Sequence, residues 1–298
     1  MKLKMPDGLK ADVPQTLWGR ILTATPVVMT VVATMLAGLA SSEMTRAQYD
    51  RSLAAQQQSK AGDQWGYFQA KRLRGALQRN TLDLLQATTD VHPLSASALT
   101  QSATGPDPAL AAALEQGKLP AGPAATALDA NVKAALDGIE SQKPEAEIAS
   151  LLSQVKDKAL ADALNAAKEH AIAFDDATAP VNRAIDQLEN SPAAGDKSVH
   201  RDLVAARLRY TAARYDAEAR LNQVIANLLE LQVRRNNVSA ERHHDRSQSF
   251  FYGMLAAQMA VIIATFAIAA RKRNLLWSLA AAAGAAAVCF AIYVYLFM

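Results

Sequence analysis

Three long apolar runs interrupt an otherwise polar pattern and contain no Asp, Glu, Lys or Arg. They cover residues 21–40, 250–270 and 275–297. Each has about the 20 residues that a helix needs to cross a hydrocarbon core of roughly 30 Å. Trp277 lies near one end of the third run and Tyr293 and Tyr295 near the other, as is typical of membrane interfaces. The pattern predicts three transmembrane helices, the last two joined by the basic hairpin 271–274.

The first run could also be read as a cleaved signal peptide, because Gly38-Leu39-Ala40 offers small residues at a cleavage site. Its apolar stretch is longer than the 7–15 residues typical of a signal core. An uncleaved anchor is the better interpretation.

Between the first two spans, residues 41–249 show helical and no strand periodicity. Good helix formers and an absence of proline predict one helix from Ser42 to about Thr89. Gly and Pro predict a loop with one short helix over 95–123. Three further features follow along the chain: a helix over 124–142, a helix over 145–190 that Pro180 kinks or interrupts, and a turn at 191–196.

The last soluble helix is predicted from Ser198 to about Gln248, continuing into the second span. Its apolar residues recur in steps of mostly three and four, which indicates a coiled-coil seam: Val199, Leu203, Ala206, Tyr210, Ala213, Ala217, Leu221, Val224, Leu228, Leu231 and Val238. The first and last helices both start at the bilayer, so we expect them to pair antiparallel. The middle helices then fold back on them or cap their far end. The predicted fold class is all-α: three transmembrane helices and an elongated, coiled-coil-like soluble domain between the first and second.

Basic residues predict the orientation. Lys2, Lys4, Lys10 and Arg20 precede the first span, and Arg271-Lys272-Arg273 follows the second, so both clusters lie on one membrane face. The positive-inside rule makes that face cytoplasmic. Residues 1–20 would then be cytoplasmic and 41–249 periplasmic in a bacterial inner membrane, although Arg234, Arg235, Arg242 and Arg246 oppose this arrangement.

The net charge of +3 does not indicate a nucleic-acid partner, because the basic excess lies at the membrane edges. Residues 41–248 carry 24 basic and 26 acidic side chains, so they lack the positive surface that phosphate binding requires. The single cysteine, Cys289, can form no disulfide within the chain.

Uncharged spans argue against a transporter or channel, which usually places ionisable groups at membrane depth. Small residues recur at four-residue spacing in the spans and predict close helix packing, within the chain or between copies. These are Thr34/Gly38, Gly253/Ala257, Ala256/Ala260/Ala264 and Ala280/Gly284.

The densest cluster of unusual residues lies at 59–71. Trp65, Phe68 and Arg72 share one helix face, and Gln64, Tyr67 and Lys71 share another. Gly62 and Gly66 are costly in a helix unless they admit a close neighbour. The cluster is either a tightly packed site, in which aromatic side chains lie on notches left by the glycines, or an interaction surface anchored by Trp65. Its candidate residues are Asp63, Gln64, Trp65, Tyr67, Phe68, Gln69 and Lys71.

This cluster resembles the signature Asp-Gln-Trp-x-Tyr-Tyr-Gln-Ala-Lys of a bacterial membrane-protein family that is classed as a domain of unknown function. Glu241 to His244 before the second span, and the basic hairpin followed by Leu-Leu-Trp, also resemble that family. In the family the second aromatic is typically Tyr and the position of Gly66 usually Ala. The resemblance covers residues 20–85 and 215–298, leaves the Ala-rich middle as specific to this chain, and implies three spans but no activity.

No catalytic, cofactor or metal motif is recognisable. Adjacent side chains on a helix, such as His243 and His244, diverge by about 100° and do not chelate one ion easily. Asp175-Asp176 and Glu145/Glu147 form no recognisable carboxylate pair, and neither a nucleophile elbow nor a phosphate loop is present. We expect that the protein is not an enzyme and binds no cofactor.

The leading hypothesis is a non-enzymatic envelope protein that uses a helical stalk to scaffold, tether or oligomerise. Its expected partners are the lipid bilayer, other copies of itself or other membrane proteins. The alternative is an extracytoplasmic helical sensor that signals through a partner protein.

Overall fold

The computed structural model describes residues 17–94, 108–122, 127–190, 196–269 and 273–297. They form seven helices and no strand, so the fold is all-α as predicted. The helices are α1 (Leu17–Thr88), α2 (Pro108–Gln116), α3 (Ala130–Glu140), α4 (Glu145–Gln154), α5 (Asp157–Glu189), α6 (Lys197–Ala269) and α7 (Arg273–Phe297).

Two compact units share the long helices α1 and α6. The terminal unit comprises Met1–Ser52 and Asn236–Met298, and the middle unit comprises Leu53–Arg235. The 73 residues of α6 confirm that the last soluble helix continues into the second apolar run. The 72 residues of α1 show that the first apolar run is likewise continuous with the helix that follows it.

Within the terminal unit, α1, α6 and α7 contain stretches long and apolar enough to cross a membrane. Their contact surfaces are rich in small side chains: Ala257, Ala260 and Ala287 are fully buried. Gly284 faces the sulfur of Met29, and Gly253 faces Leu36 and Phe290. The expected close packing is therefore present at these glycines.

The Thr34/Gly38 pair does not join this packing. Both residues are exposed, and a Cβ on Gly38 would have no heavy atom within 4 Å beyond its own helix. The residues of α1 that pack inward are Met29, Ala33, Leu36 and Ala40.

In each unit α1 and α6 run antiparallel, as expected. In the terminal unit, Ser247 donates a hydrogen bond to the carbonyl of Ala40, and Ser239 donates one to Asp50. In the middle unit, Lys71 pairs with Glu218, and Gly75 lies beside Ala212 and Tyr215. Residue numbers rise on one helix as they fall on the other.

Buried residues, all of them alanine except one valine, recur every seven residues on both helices. On α1 they are Ala33, Ala40, Ala47, Ala54 and Ala61, and the matching series on α6 is Ala205, Ala212, Ala219, Ala226, Val233 and Ala240. A seven-residue repeat keeps one face of each helix toward its partner. Small side chains at those positions let the two backbones approach closely.

The predicted apolar series on α6 occupies a different face. Leu203, Ala206 and Tyr210 pack in the core with α2 and the C-terminal part of α5, whereas Val224 is exposed. Arg235 pairs with Asp157 at the start of α5, and Arg207 with Glu189 at its end, so α5 runs antiparallel to α6. The middle helices therefore fold back along α6, as expected.

Two predicted boundaries in the middle unit are wrong. The first middle helix begins at Ala130 and not at Ala124, because Asp129 caps it by accepting from the backbone N–H groups of Asn131 and Val132. The helix expected over 145–190 is two helices. Between them the backbone of Val155 is extended while its side chain is buried.

The helix breaks predicted at prolines are only partly confirmed. Pro144 separates α3 from α4 as predicted, and Gln142 closes α3 with a positive φ of 52°. Pro180 does not interrupt α5. It lies on the exposed side of that helix, where water can hydrogen-bond to the unpaired carbonyl. The turn expected at 191–196 lies almost wholly outside the described residues.

Candidate functional site

The signature segment of α1, residues 63–71, divides between the interior and the surface of the middle unit. Gln64, Trp65, Phe68 and Lys71 are partly buried, whereas Asp63, Tyr67 and Gln69 are exposed. Of the face predicted for Gln64, Tyr67 and Lys71, the first and last residues are therefore partly covered and Tyr67 is exposed.

The aromatic face is confirmed. Trp65 and Phe68 make an edge-to-face contact with centroids 5.4 Å apart and planes at 82°. The Arg72 guanidinium lies 5.6 Å from the Phe68 centroid. Such stacks stabilise a helix surface by burying ring area and placing a cation over a π face.

The expected glycine notches are absent. A Cβ on Gly62 or Gly66 would have no heavy atom within 4 Å outside its own helix. The glycine that admits a neighbour in this region is Gly75, where a Cβ would lie 2.9 Å from Asp216 Oδ1 and 3.5 Å from Tyr215 Cβ. Asp216 is also held by an ion pair with Arg79.

Lys71 belongs to a charged cluster between α1 and α6. Its partner Glu218 has a side chain only 8% exposed, and Arg214 Nε lies 3.3 Å from the other carboxylate oxygen of Glu218. That second contact is an ion pair without hydrogen-bond geometry. Arg214 Nε is therefore buried with no hydrogen-bond acceptor among the described residues. Lys71 and Arg214 both lie over the ring of Tyr215, at 5.4 and 5.0 Å from its centroid.

The charged cluster perturbs two neighbours. Partial burial and the nearby carboxylate of Glu218 raise the pKa of Asp175 above its usual value, against the pull of Lys71 and Arg214. Burial likewise raises the pKa of Tyr210, whose hydroxyl has no hydrogen-bond partner among the described residues. Glu218 and Arg214 were not among the predicted site residues, although their four-residue spacing is that of a helical ion pair.

A cavity of about 370 Å³ opens beside this cluster between α1, α5 and α6. Its lining includes Gln78, Asn182, Arg207, Tyr210 and Arg214. Arg207 is paired with Asp186 at 3.2 Å and with Glu189. The cavity thus has polar and charged walls, which include Arg214 and the Asp186–Arg207–Glu189 group.

Four other titratable candidates contact a polar or charged side chain. In the terminal unit, His243 Nδ1 lies 2.5 Å from Glu43, and the His244 ring contacts the Gln248 amide at 3.0 Å. In the middle unit, Glu145 lies 3.8 Å from Arg234, and Glu147 is bound to Lys143. Across the described parts of the chain, no three His, Cys, Asp or Glu side chains converge on a common metal position.

The fold defines an all-α protein whose helices α1, α6 and α7 are long and apolar enough to cross a membrane. A family model, domain of unknown function DUF4337, matches residues 18–185, and the chain belongs to that family. The match runs through the Ala-rich middle, so the expectation that this part is specific to the chain is wrong, and it does not extend over 215–298. No match was found among curated proteins or among solved structures.

Proposed function

We propose that this protein is a non-enzymatic, three-span protein of the bacterial inner membrane that associates with other proteins through its periplasmic middle unit. The observation that carries the proposal is an uncovered apolar face on α1. Tyr67, Leu73, Leu77 and Leu84 are 57%, 63%, 53% and 64% exposed. Large apolar side chains grouped on one exposed face are characteristic of interaction surfaces.

Exposed apolar side chains in the terminal unit support the membrane part of the proposal. Val27 and Met35 on α1 are each 67% exposed, Phe266 on α6 is 66% exposed and Leu275 on α7 is 70% exposed. Such surfaces are unfavourable in water and favourable in lipid. Small residues fill the contacts between the same three helices, as in helix packing within membranes.

A topology experiment tests the membrane and orientation parts. In a Cys289→Ala background, a single cysteine replaces Ser150, which is exposed on α4. We expect a membrane-impermeant thiol reagent to label intact spheroplasts. Labelling only after lysis would place the middle unit in the cytoplasm and overturn the orientation. Release of the protein from membranes by alkaline carbonate would overturn the membrane anchor.

Amine-reactive crosslinking in native membranes tests the association part. We expect wild-type protein to give higher-mass species, and Leu73→Ser/Leu77→Ser to give at least a fivefold lower yield. Ile172→Ser is the matched control, because Ile172 on α5 is 61% exposed and stands apart from the α1 face. Equal loss in the control would mean that exposed apolar area in general, and not this face, drives crosslinking.

The polar cavity favours the sensor as a second candidate function. Arg214 at one side and the Asp186–Arg207–Glu189 group at the other suit a small zwitterion such as an amino acid. The test is the thermal unfolding of detergent-solubilised protein with a panel of common amino acids. A rise in Tm that Arg214→Gln abolishes would support sensing, and an unchanged Tm across the panel would exclude this ligand class.

A further inference from the structure

Exposed residues on the uncovered side of α1 follow a regular seven-residue repeat. We name this set of residues the outer stripe. Its members are all exposed and recur in alternating steps of four and three: Gly66, Ala70, Leu73, Leu77, Asn80, Leu84 and Ala87. In heptad notation, Ala70, Leu77 and Leu84 are a positions, and Gly66, Leu73, Asn80 and Ala87 are d positions. Gly75, Lys71 and Leu82, which are turned inward, occupy f, b and f positions on the other side of the helix.

We propose that the outer stripe binds the same stripe of a second copy, forming a parallel α1–α1 pair. The inference rests on the proposed membrane function, because membrane anchoring fixes the direction of α1. Two copies with the same orientation in one bilayer present α1 pointing the same way. The stripe follows the first apolar run on one continuous helix, so both stripes begin at the same number of residues from the bilayer.

The residues of the stripe fit a parallel pair in matched register. In that arrangement each a or d residue packs beside its own equivalent. Asn80 then faces Asn80 of the second copy, and the two amides can hydrogen-bond. A Cβ on Gly66 would meet no heavy atom of the described residues within 4 Å beyond its own helix, and with Ala70 this glycine leaves room for close approach at the membrane-proximal end.

The flanking side chains are compatible with the same arrangement. In parallel pairs a g residue lies near the e residue of the next heptad on the other helix. These pairs would be Gln69 with Arg74, Ala76 with Thr81, and Asp83 with Thr88. None places like charges together. Asp63, at the next a position toward the membrane, would face its own copy and therefore limits the stripe at that end.

The apolar area also points to a partner held in the same membrane. Three leucines and one tyrosine, each somewhat more than half exposed, supply roughly 400 Å² per copy, about half of the roughly 800 Å² per partner in stable soluble interfaces. Confinement of both copies to one bilayer raises their effective concentration and compensates for a small interface. A parallel neighbour in the same bilayer is therefore a better occupant than a soluble protein.

Cysteine crosslinking of the full-length protein in native membranes tests the pair. In the Cys289→Ala background, Leu77→Cys and Leu84→Cys place a thiol at a positions, and Gln86→Cys places one at an exposed c position two residues beyond Leu84. With copper–phenanthroline as the oxidant, we expect disulfide-linked dimers at 77 and 84 at least tenfold above those at 86. Adding Leu73→Glu to Leu84→Cys should abolish the dimer.

Equal dimer yields at 84 and 86, or monomers at both 77 and 84, would overturn the inference. The amine-reactive crosslinking of the wild type separates this failure from a failure of the proposed function. If amine crosslinking still yields higher-mass species, association persists through another surface or partner. If it yields none, the proposed association function fails as well.

Discussion

Lys71 on α1 and Glu218 on α6, 147 positions apart in sequence, form an ion pair at the helix interface of the middle unit. The carboxylate is nearly enclosed, and it also lies beside Arg214. The last residue of the signature segment is therefore part of the internal packing, while Tyr67, one helical turn earlier, is on the surface. One short segment thus contributes both to the stability of the unit and to its accessible face.

Removal of one member of this pair is expected to destabilise the middle unit more than removal of both. Lys71→Met should lower the free energy of unfolding by about 2 kcal/mol, because it leaves a buried carboxylate with only Arg214. Lys71→Met/Glu218→Leu should recover at least half of that loss. Denaturant unfolding in detergent measures both values, with Lys60→Met on the exposed side of α1 as the control. Additive losses in the double variant would show that the two side chains are not coupled.

Glycine substitutions are expected to have opposite effects at two places on α1. Gly75→Leu should destabilise by about 2 kcal/mol or more, since its side chain must displace Asp216 and press on Tyr215. Gly62→Ala should stabilise by up to about 1 kcal/mol, because alanine is the better helix former and its methyl group meets no neighbour. Thermal unfolding compares the two. A loss of stability in Gly62→Ala would indicate an unrecognised contact at that position.

The alanine repeat predicts a low tolerance for larger side chains. Ala61→Leu should destabilise by about 1–3 kcal/mol, because the residue is only 2% exposed and the facing helix must move to admit three more carbon atoms. Ala55→Leu, at an exposed position of the same helix, is the matched control and should change stability by less than about 0.5 kcal/mol. Similar Tm values for both variants would mean that the α1–α6 interface can accommodate a larger side chain at position 61.

Asp175 gives a pH-dependent prediction. Its pKa is raised in the fold above the ordinary value of 3.8, so its ionised form opposes folding, and this effect grows as the pH rises through the raised pKa. Asp175→Asn should therefore stabilise the protein at pH 7, by at most roughly a few tenths of a kcal/mol because the side chain is largely solvated. The difference should vanish below pH 3.8. Asp83→Asn, at an exposed position of α1, serves as control. Destabilisation at pH 7 would show that Lys71 and Arg214 dominate over Glu218.

The architecture was predictable because its signals are strong and local. Uncharged runs of about 20 residues identify α1, α6 and α7 as helices fit to cross a membrane. The lack of proline from Ser42 to Thr89 and the Lys143-Pro144 break predict where helices continue and end. The antiparallel pairing of α1 with α6 was expected because both helices were predicted to start at the same bilayer.

The site was less predictable, because burial depends on which face a partner covers. The sequence does not distinguish Gly62 and Gly66 from Gly75, yet of these three only Gly75 lies against α6. The spacing of the alanines at 33, 40, 47, 54 and 61 is visible in the sequence. Alanine is common in any helix, however, and its burial depends on which side the facing helix covers. Glu218 could be paired with Lys71 only once the register of the two helices was known.

The seven-residue alanine repeat also restricts how the chain can change in length. Inserting one residue into α1 would turn everything beyond it by about 100° and so move the buried alanine face away from α6. Seven added residues would lengthen the helix and leave both faces in phase. Insertions of other lengths are expected between helices, where they do not rotate one part of a helix relative to another. Homologues of different size should therefore differ in their long helices by multiples of seven and elsewhere by any number.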